Sequence, residues 1–358
     1  MKFAKNIANH AQVPHGGPYS IQSQNSKMVD FSSNVNPLGY PKSIRKLEKN
    51  WMARIPVYPD HESTKLRKQL AKHLGVLAEN LVVGNGATEI IYNFCRATLE
   101  KNIPVLIPVP TFGEYEAASR LSRARVQFFK TMNLEKDLRN FVTKIPKNGA
   151  VFICNPNNPT GSLTSENAML QIIKSAKAKN TLVFVDECFM ELTQNPNHSI
   201  IDKIGSNENL FVLRSLTKSF GLAGLRVGYG VGNKKLVSVL NKIKIPWNIS
   251  GLAQEAACLA LSEKSFLGKT RNLIKAESGF LRDSISRLDG FSCYKTSANF
   301  ILIKTKKDSR LLQKKLVQKS ILIRDCSTFR GLGKNHIRIA VRTHKENIKL
   351  VRALEALA

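Results

Sequence analysis

Between residues 80 and 218 the sequence repeats one pattern: a short, almost unbroken apolar run rich in Val and Ile, a polar turn, then an amphipathic stretch of helical length. NLVVGNG (80–86) leads into ATEIIYNFCRATLE, PVLIPVP (104–110) into EYEAASRLSR, and GAVFICNPNNP (149–159) into ENAMLQIIKSAKAK. TLVFVDE (181–187) and NLFVLRSLTK (209–218) read as two further strands. Strands that do not alternate with polar residues are buried on both faces, as in a parallel sheet covered by helices. The pattern predicts an α/β large domain over 45–250, a mostly parallel sheet flanked by helices. After PWNISG (246–251) it gives way to a helical region, 252–288, and then to ANFILIK, SILIRD and HIRIAVR with helices between. That is a smaller α+β domain over 251–358, which part of the N-terminal arm, 1–44, is expected to join.

Four polar clusters follow these strands, where open α/β sheets bind ligands. Gly84-Asn85-Gly86-Ala87-Thr88 joins strand to helix, so its N–H groups and the Thr88 hydroxyl suit an anion, although such a turn also serves geometry alone. Asp186-Glu187 ends an apolar strand, where a carboxylate needs a cation; a protonated ring nitrogen would serve, as would a structural ion pair or a helix cap. Asn155-Pro156-Asn157-Asn158-Pro159-Thr160-Gly161 has prolines to fix the backbone while an asparagine amide points into the crevice, or is a plain turn. Ser215, Thr217 and Arg226 suit a phosphate, and Lys218 among them is a lysine able to lose its proton and bond to a carbonyl carbon.

The formal net charge of +29 asks for an anionic partner. The lysines are spread along the chain, however, and in the densest stretch, 304–320, they interleave with Leu311, Leu312, Leu316 and Val317 at helical spacing, which reads as one amphipathic surface helix. No nucleic-acid-binding signature accompanies it, so a nucleic-acid partner is disfavoured. No apolar run reaches membrane-spanning length and the first residues lack a secretory signal, so no membrane partner and a cytoplasmic location are expected. The six cysteines lie far apart without metal-ligand spacing and read as core, with no metal.

In their order GNGATE, CNPNNPTG, VDE, SLTK and GLRVGY, the clusters resemble the fold type I pyridoxal-phosphate enzymes, the aspartate aminotransferase superfamily, over essentially the whole chain. The resemblance implies pyridoxal 5'-phosphate carried by Lys218, with Asp186 holding the ring nitrogen protonated. It implies that Asn158 donates to the ring O3′ oxygen and that Phe112 stacks on the ring. Gly86, Ala87, Thr88, Ser215, Thr217 and Arg226 would form the phosphate cup. Tyr58 in VYPD is similar to a tyrosine that reaches the neighbouring subunit's cofactor, implying a homodimer with shared sites. With this set complete, a basic nucleic-acid-binding protein on an inactive scaffold is the weaker alternative.

Two subfamilies compete, histidinol-phosphate aminotransferases and L-threonine-O-3-phosphate decarboxylases. His15-Gly16-Gly17 followed by DFSSNVNPLG, which contains Asn34, resembles the decarboxylase opening, whose histidine binds the substrate phosphate; otherwise His15 is a surface residue. Phe189 stands where the aminotransferases carry a tyrosine. ILIRDCSTFRGLGKNHIRIAVRTHKEN (321–347) is similar to the decarboxylase C-terminal segment, with Arg338 as α-carboxylate clamp and Arg324 as phosphate ligand, and Trp247 in PWNIS matches too. The implied reaction is decarboxylation of a phosphorylated amino acid, L-threonine O-3-phosphate or the serine equivalent, to the phosphorylated amine used as the linker in cobalamin assembly.

Overall fold

The computed structural model describes residues 5–8, 10–21, 28–48 and 51–358. Seven strands, β1 (Leu81–Asn85), β2 (Pro104–Val109), β3 (Arg125–Lys130), β4 (Ala150–Cys154), β5 (Leu182–Asp186), β6 (Leu210–Ser215) and β7 (Val227–Gly232), form one sheet in the order β1-β7-β6-β5-β4-β2-β3. Of these, β7 alone runs antiparallel to its neighbours, and the parallel pairings align the rest. All six other strands therefore end at one edge.

The sheet is buried on both faces, as the unbroken apolar runs require. On one face Phe94, Phe152, Phe184 and Phe211 pack together, Phe94 meeting Phe184 edge-on at 4.8 Å. On the other, Val83, Val151, Val183, Val185 and Val212 form a second apolar layer. Two strands escaped the sequence pattern. In β3 the burial alternates between exposed and half-buried, as at a sheet edge. In β7, VGYGVG, glycine is normally a poor strand former, but Gly230 and Gly232 leave room for the Phe211 ring, which a Cβ at either would strike.

A second sheet comprises β8 (Phe291–Cys293), β9 (Phe300–Thr305), β10 (Arg324–Asp325) and β11 (His336–Ala340), antiparallel in the order β10-β11-β9-β8. Val29–Asp30 pairs parallel with Ile321–Leu322, and Phe31 is fully buried in this sheet's core. Helix α1 (Gly86–Thr98) follows β1 and helix α2 (Glu114–Leu121) follows β2. Helix α3 (Gly251–Ser262) contributes Ala253, Ala257 and Cys258 to the large sheet's core. Helix α4 (Phe266–Ile285) passes from that core at Phe266 to the second core at Leu281 and Ile285. The change of core thus falls along α4, later than the change in sequence character at residue 251.

Two expected elements are redrawn. The stretch 304–320 is not one helix: Lys304 and Thr305 finish β9, and the helix is Ser309–Gln318, capped by the Asp308 carboxylate on the Arg310 and Leu311 N–H groups. The strand read through residue 218 stops at Ser215, whose hydroxyl accepts from the Thr217 N–H and starts the turn Leu216–Ser219. Among the described residues no helix is long and apolar enough to cross a membrane.

Candidate active site

Because the strands end together, the polar clusters that follow them converge. They line a cleft of ≈ 1400 Å³ between the two sheets. From the large sheet it receives Ala87, Thr88, Phe112, Asn158, Asp186, Ser215, Thr217, Lys218 and Arg226; from the second sheet and the N-terminal arm, His15, Asn34, Arg324 and Arg338. Gly86 lies just behind, against the Arg226 guanidinium. Tyr58 does not reach this chain's cleft: it is 80% exposed and packs on Trp247, ring centres 4.9 Å apart.

Lys218 is half-buried on the turn after β6. Burial, then the neighbouring Arg338 and Arg226 guanidiniums, pull its amine down to about 8, against the opposing pull of Cys188 and Asp186. A substantial neutral fraction is therefore present near neutral pH, which a nucleophilic amine needs.

Asp186 closes β5, nearly fully buried. Its Oδ2 accepts from the Tyr115 hydroxyl at 2.7 Å and its Oδ1 from the Cys188 N–H at 2.9 Å. Burial still pushes its carboxyl up, opposed by those bonds and by the positive charge of Lys218. A cationic ring nitrogen beside it would supply the charge that its two neutral donors do not. The adjacent Glu187 turns the other way, into a buried ion pair with Arg214 at 2.7 Å. The Asp-Glu pair thus divides into one acid for the cleft and one for the core.

The anion cradle lies opposite. Gly86 opens α1 at φ +78, a conformation suited to glycine, and a Cβ there would collide with Arg226. The Thr217 hydroxyl is buried without a hydrogen-bond partner among the described residues. An unsatisfied hydroxyl, a guanidinium and a thirteen-residue helix opening at Gly86 fit a phosphate.

Arg338 is 6% exposed, and among the described residues it forms no ion pair with a carboxylate. One Nη donates to the Asn158 side-chain oxygen and the other to the Ser32 carbonyl at 2.7 Å. Its guanidinium lies 5.3 Å over the Phe300 ring, and its Nε has no partner among the described residues. Burial pulls it down to about 10, so it remains charged at neutral pH. With its amide oxygen on Arg338, Asn158 keeps its amide N–H groups for a ligand. Arg324 donates to the Pro14 carbonyl at 2.5 Å. The His15 Nε2 lies 2.7 Å from Glu114.

The chain's similarities agree with this geometry. Residues 26–354 match the family model "Aminotransferase class I and II". The chain belongs to the class I and class II aminotransferase family. Pyridoxal phosphate is its cofactor, and the lysine, the buried acid and the anion cradle fit that group. A relative in Caldanaerobacter subterraneus subsp. tengcongensis, provisionally named threonine-phosphate decarboxylase, is 35% identical over 96% of this chain and 93% of its own. A histidinol-phosphate aminotransferase of Thermoanaerobacter pseudethanolicus is 36% identical over 91% of this chain and 92% of its own. A solved histidinol-phosphate aminotransferase from Clostridium acetobutylicum superposes with a TM-score of 0.85 at 31% identity, covering 92% of this chain and 99% of that one.

Sequence reasoning missed Tyr115, Glu114 and the thiols of Cys154 and Cys188 among this aminotransferase-family site's surroundings. The first two lie in EYEAASRLSR, which read only as an amphipathic helix. Nothing local distinguishes an acid buried against the arm's histidine from one on a solvated face.

Proposed function

We propose that this family member decarboxylates an O-phospho-L-amino acid, L-threonine O-3-phosphate or L-serine phosphate. The observation that carries the reading is the set of cationic and potentially cationic groups in one cleft: the buried Arg338, and Arg324 with His15 nearer the arm. One anion, the α-carboxylate, suits the planar fork of Arg338 backed by Asn158. A second, doubly charged anion suits Arg324 and His15. Phe189, buried and edge-on to Phe300 at 5.1 Å, presents only ring carbon to the cleft where the aminotransferase subfamily carries a phenol.

Bound pyridoxal phosphate supplies an electron sink for the pair left on Cα when a bond there breaks. In this reading Lys218 carries the cofactor, Asp186 faces its ring nitrogen, Asn158 its O3′ oxygen and Phe112 its face. Gly86, Ala87, Thr88, Ser215, Thr217 and Arg226 hold its phosphate. Arg338 would set the reaction by orienting the substrate carboxylate, and with it the Cα bond that the cofactor activates. If the bond to the carboxylate is the one broken, CO2 leaves and Lys218 would return one proton to Cα. From threonine phosphate the product is (R)-1-amino-2-propanol O-2-phosphate. Asn34, whose buried amide oxygen has no partner among the described residues, joins the substrate side. The protein acts as a homodimer, with Tyr58 contributed to the partner's cofactor.

The aminotransferase name of the Thermoanaerobacter relative favours a second reading. The purified, cofactor-loaded protein is given threonine phosphate, serine phosphate and, separately, histidinol phosphate with 2-oxoglutarate. CO2 with a phosphorylated amine, and no keto acid required, supports decarboxylation; glutamate formed only with the keto acid supports transamination.

A further inference from the structure

His15 lies on an extended part of the arm, yet its ring is held from two sides by the segment after β2. Its Nε2 is 2.7 Å from Glu114 Oε1, and its ring centre is 6.0 Å from that of Phe112. Glu114 is only 4% exposed although it opens a surface helix. Its second oxygen accepts from the Tyr92 hydroxyl of α1 at 2.6 Å. Burial pushes the Glu114 carboxyl up, but the bonds from His15 and Tyr92, with the charges of His15 and His10, more than offset it and hold the group below the usual range. An ionised carboxylate only accepts hydrogen bonds, so the His15 nitrogen facing it carries a proton. Nδ1 is then the ring nitrogen left for a ligand, and it donates to a phosphate when the ring carries a proton on both nitrogens. Arg324, the other group assigned to the substrate phosphate, also bonds this arm at Pro14.

We propose that Glu114 is a positioning residue for substrate-phosphate recognition: by accepting from Nε2–H it fixes the orientation of His15 and turns Nδ1 toward the phosphate, and Tyr92 fixes Glu114. The inference rests on the reading of the substrate as a phosphorylated amino acid. It separates two roles in one short segment, Phe112 for the cofactor and Glu114 for the far end of the substrate.

The test compares the holoenzyme with Glu114→Gln, Tyr92→Phe, His15→Ala and the double variant Glu114→Gln/His15→Ala. With O-phospho-L-threonine, Glu114→Gln raises KM roughly tenfold, the loss expected of one hydrogen bond to a charged group. It leaves kcat and the cofactor's visible absorbance in place. Tyr92→Phe changes KM in the same direction by less. The double variant is no worse than His15→Ala, because residues acting through one another are not additive. Equal loss in kcat and KM, or additivity with His15→Ala, overturns the proposal. If the wild type releases no CO2 from any phosphoamino acid, the functional reading fails separately. Nitrogen-15 NMR of the His15 ring in the holoenzyme then decides the role of Glu114: a hydrogen-bonded Nε2–H signal lost in Glu114→Gln upholds positioning, and an unchanged signal removes it.

Discussion

Arg324 and Arg338 are direct Cα partners on the antiparallel strands β10 and β11, so their side chains leave the same face of the sheet and line the same cleft. Their hydrogen bonds go to the Pro14 and Ser32 carbonyls, the Thr328 hydroxyl and the Asn158 amide oxygen rather than to carboxylates. Two like charges held side by side, neither in an ion pair among the described residues, suit a ligand with two anionic ends. Replacing Arg338 by Ala lowers kcat/KM for any α-amino acid substrate by roughly a hundredfold, as loss of a buried charged partner does. Arg324→Ala penalises phosphothreonine far more than threonine. Steady-state kinetics with both amino acids check the division.

Only the neutral amine of Lys218 attacks a carbonyl. Its amine lies at about 8, so the rate at which cofactor-stripped protein binds added pyridoxal phosphate covalently rises with pH through about 8 and levels off above it. Stopped-flow absorbance follows this, and Lys218→Ala abolishes both the step and the bound colour. A rate flat across that range contradicts the assignment.

The Tyr115 hydroxyl is one of two donors to a buried carboxylate. Tyr115→Phe keeps the ring on Phe152, where it stacks at 5.6 Å, and removes only that bond. The variant loses about 1–3 kcal/mol in urea denaturation, the penalty for an under-satisfied buried acceptor. If that carboxylate faces the cofactor's ring nitrogen, as proposed, the variant's affinity for pyridoxal phosphate falls as well.

Glu187 and Arg214 form a buried pair behind the cleft, joined by the Ser199 hydroxyl and Glu191. Glu187→Gln leaves the buried guanidinium only its longer carboxylate contact, with Glu191 at 3.7 Å, and costs about 3 kcal/mol of stability, the lower end for a broken buried pair. Urea unfolding measures the loss, which exceeds that of any exposed pair such as Lys306–Asp289.

Tyr58 and Trp247 stack on an exposed surface that also carries Met52, Ile55, Val57 and Ile245. If Tyr58 completes the partner's site, mixing inactive Lys218→Ala with Tyr58→Ala subunits after dissociation recovers about a quarter of wild-type activity, since half of randomly formed dimers hold one intact site. No recovery removes Tyr58 from the partner's site.

The parts of this molecule that were legible in the sequence are those set by contiguous residues. Val and Ile runs gave four strand positions closely, and Asp186, Asn158 and Lys218 each sit beside a strand end that their own segment announces. Strand β7 was not legible, because Gly230 and Gly232 answer the bulk of Phe211, which lies on the preceding strand. The pairing of His15 with Glu114 spans 99 residues, and neither segment carries a mark of the other. The arm's histidine could be named by resemblance; its acid could only be found in three dimensions.

The second sheet's core takes Phe31 from near the chain's beginning and Ile321, Ile337 and Leu350 from near its end. During synthesis the large sheet has all seven of its strands by Gly232, whereas residues 29–31 have no strand partners until Ile321–Leu322 and Ala340 emerge. The early segment must therefore wait through most of translation, and the cleft acquires Arg324 and Arg338 last of all. A ribosome stalled near residue 250 would hold a complete large sheet carrying Lys218 and Asp186, while the wall bearing those two arginines comes into being only with the final few dozen residues.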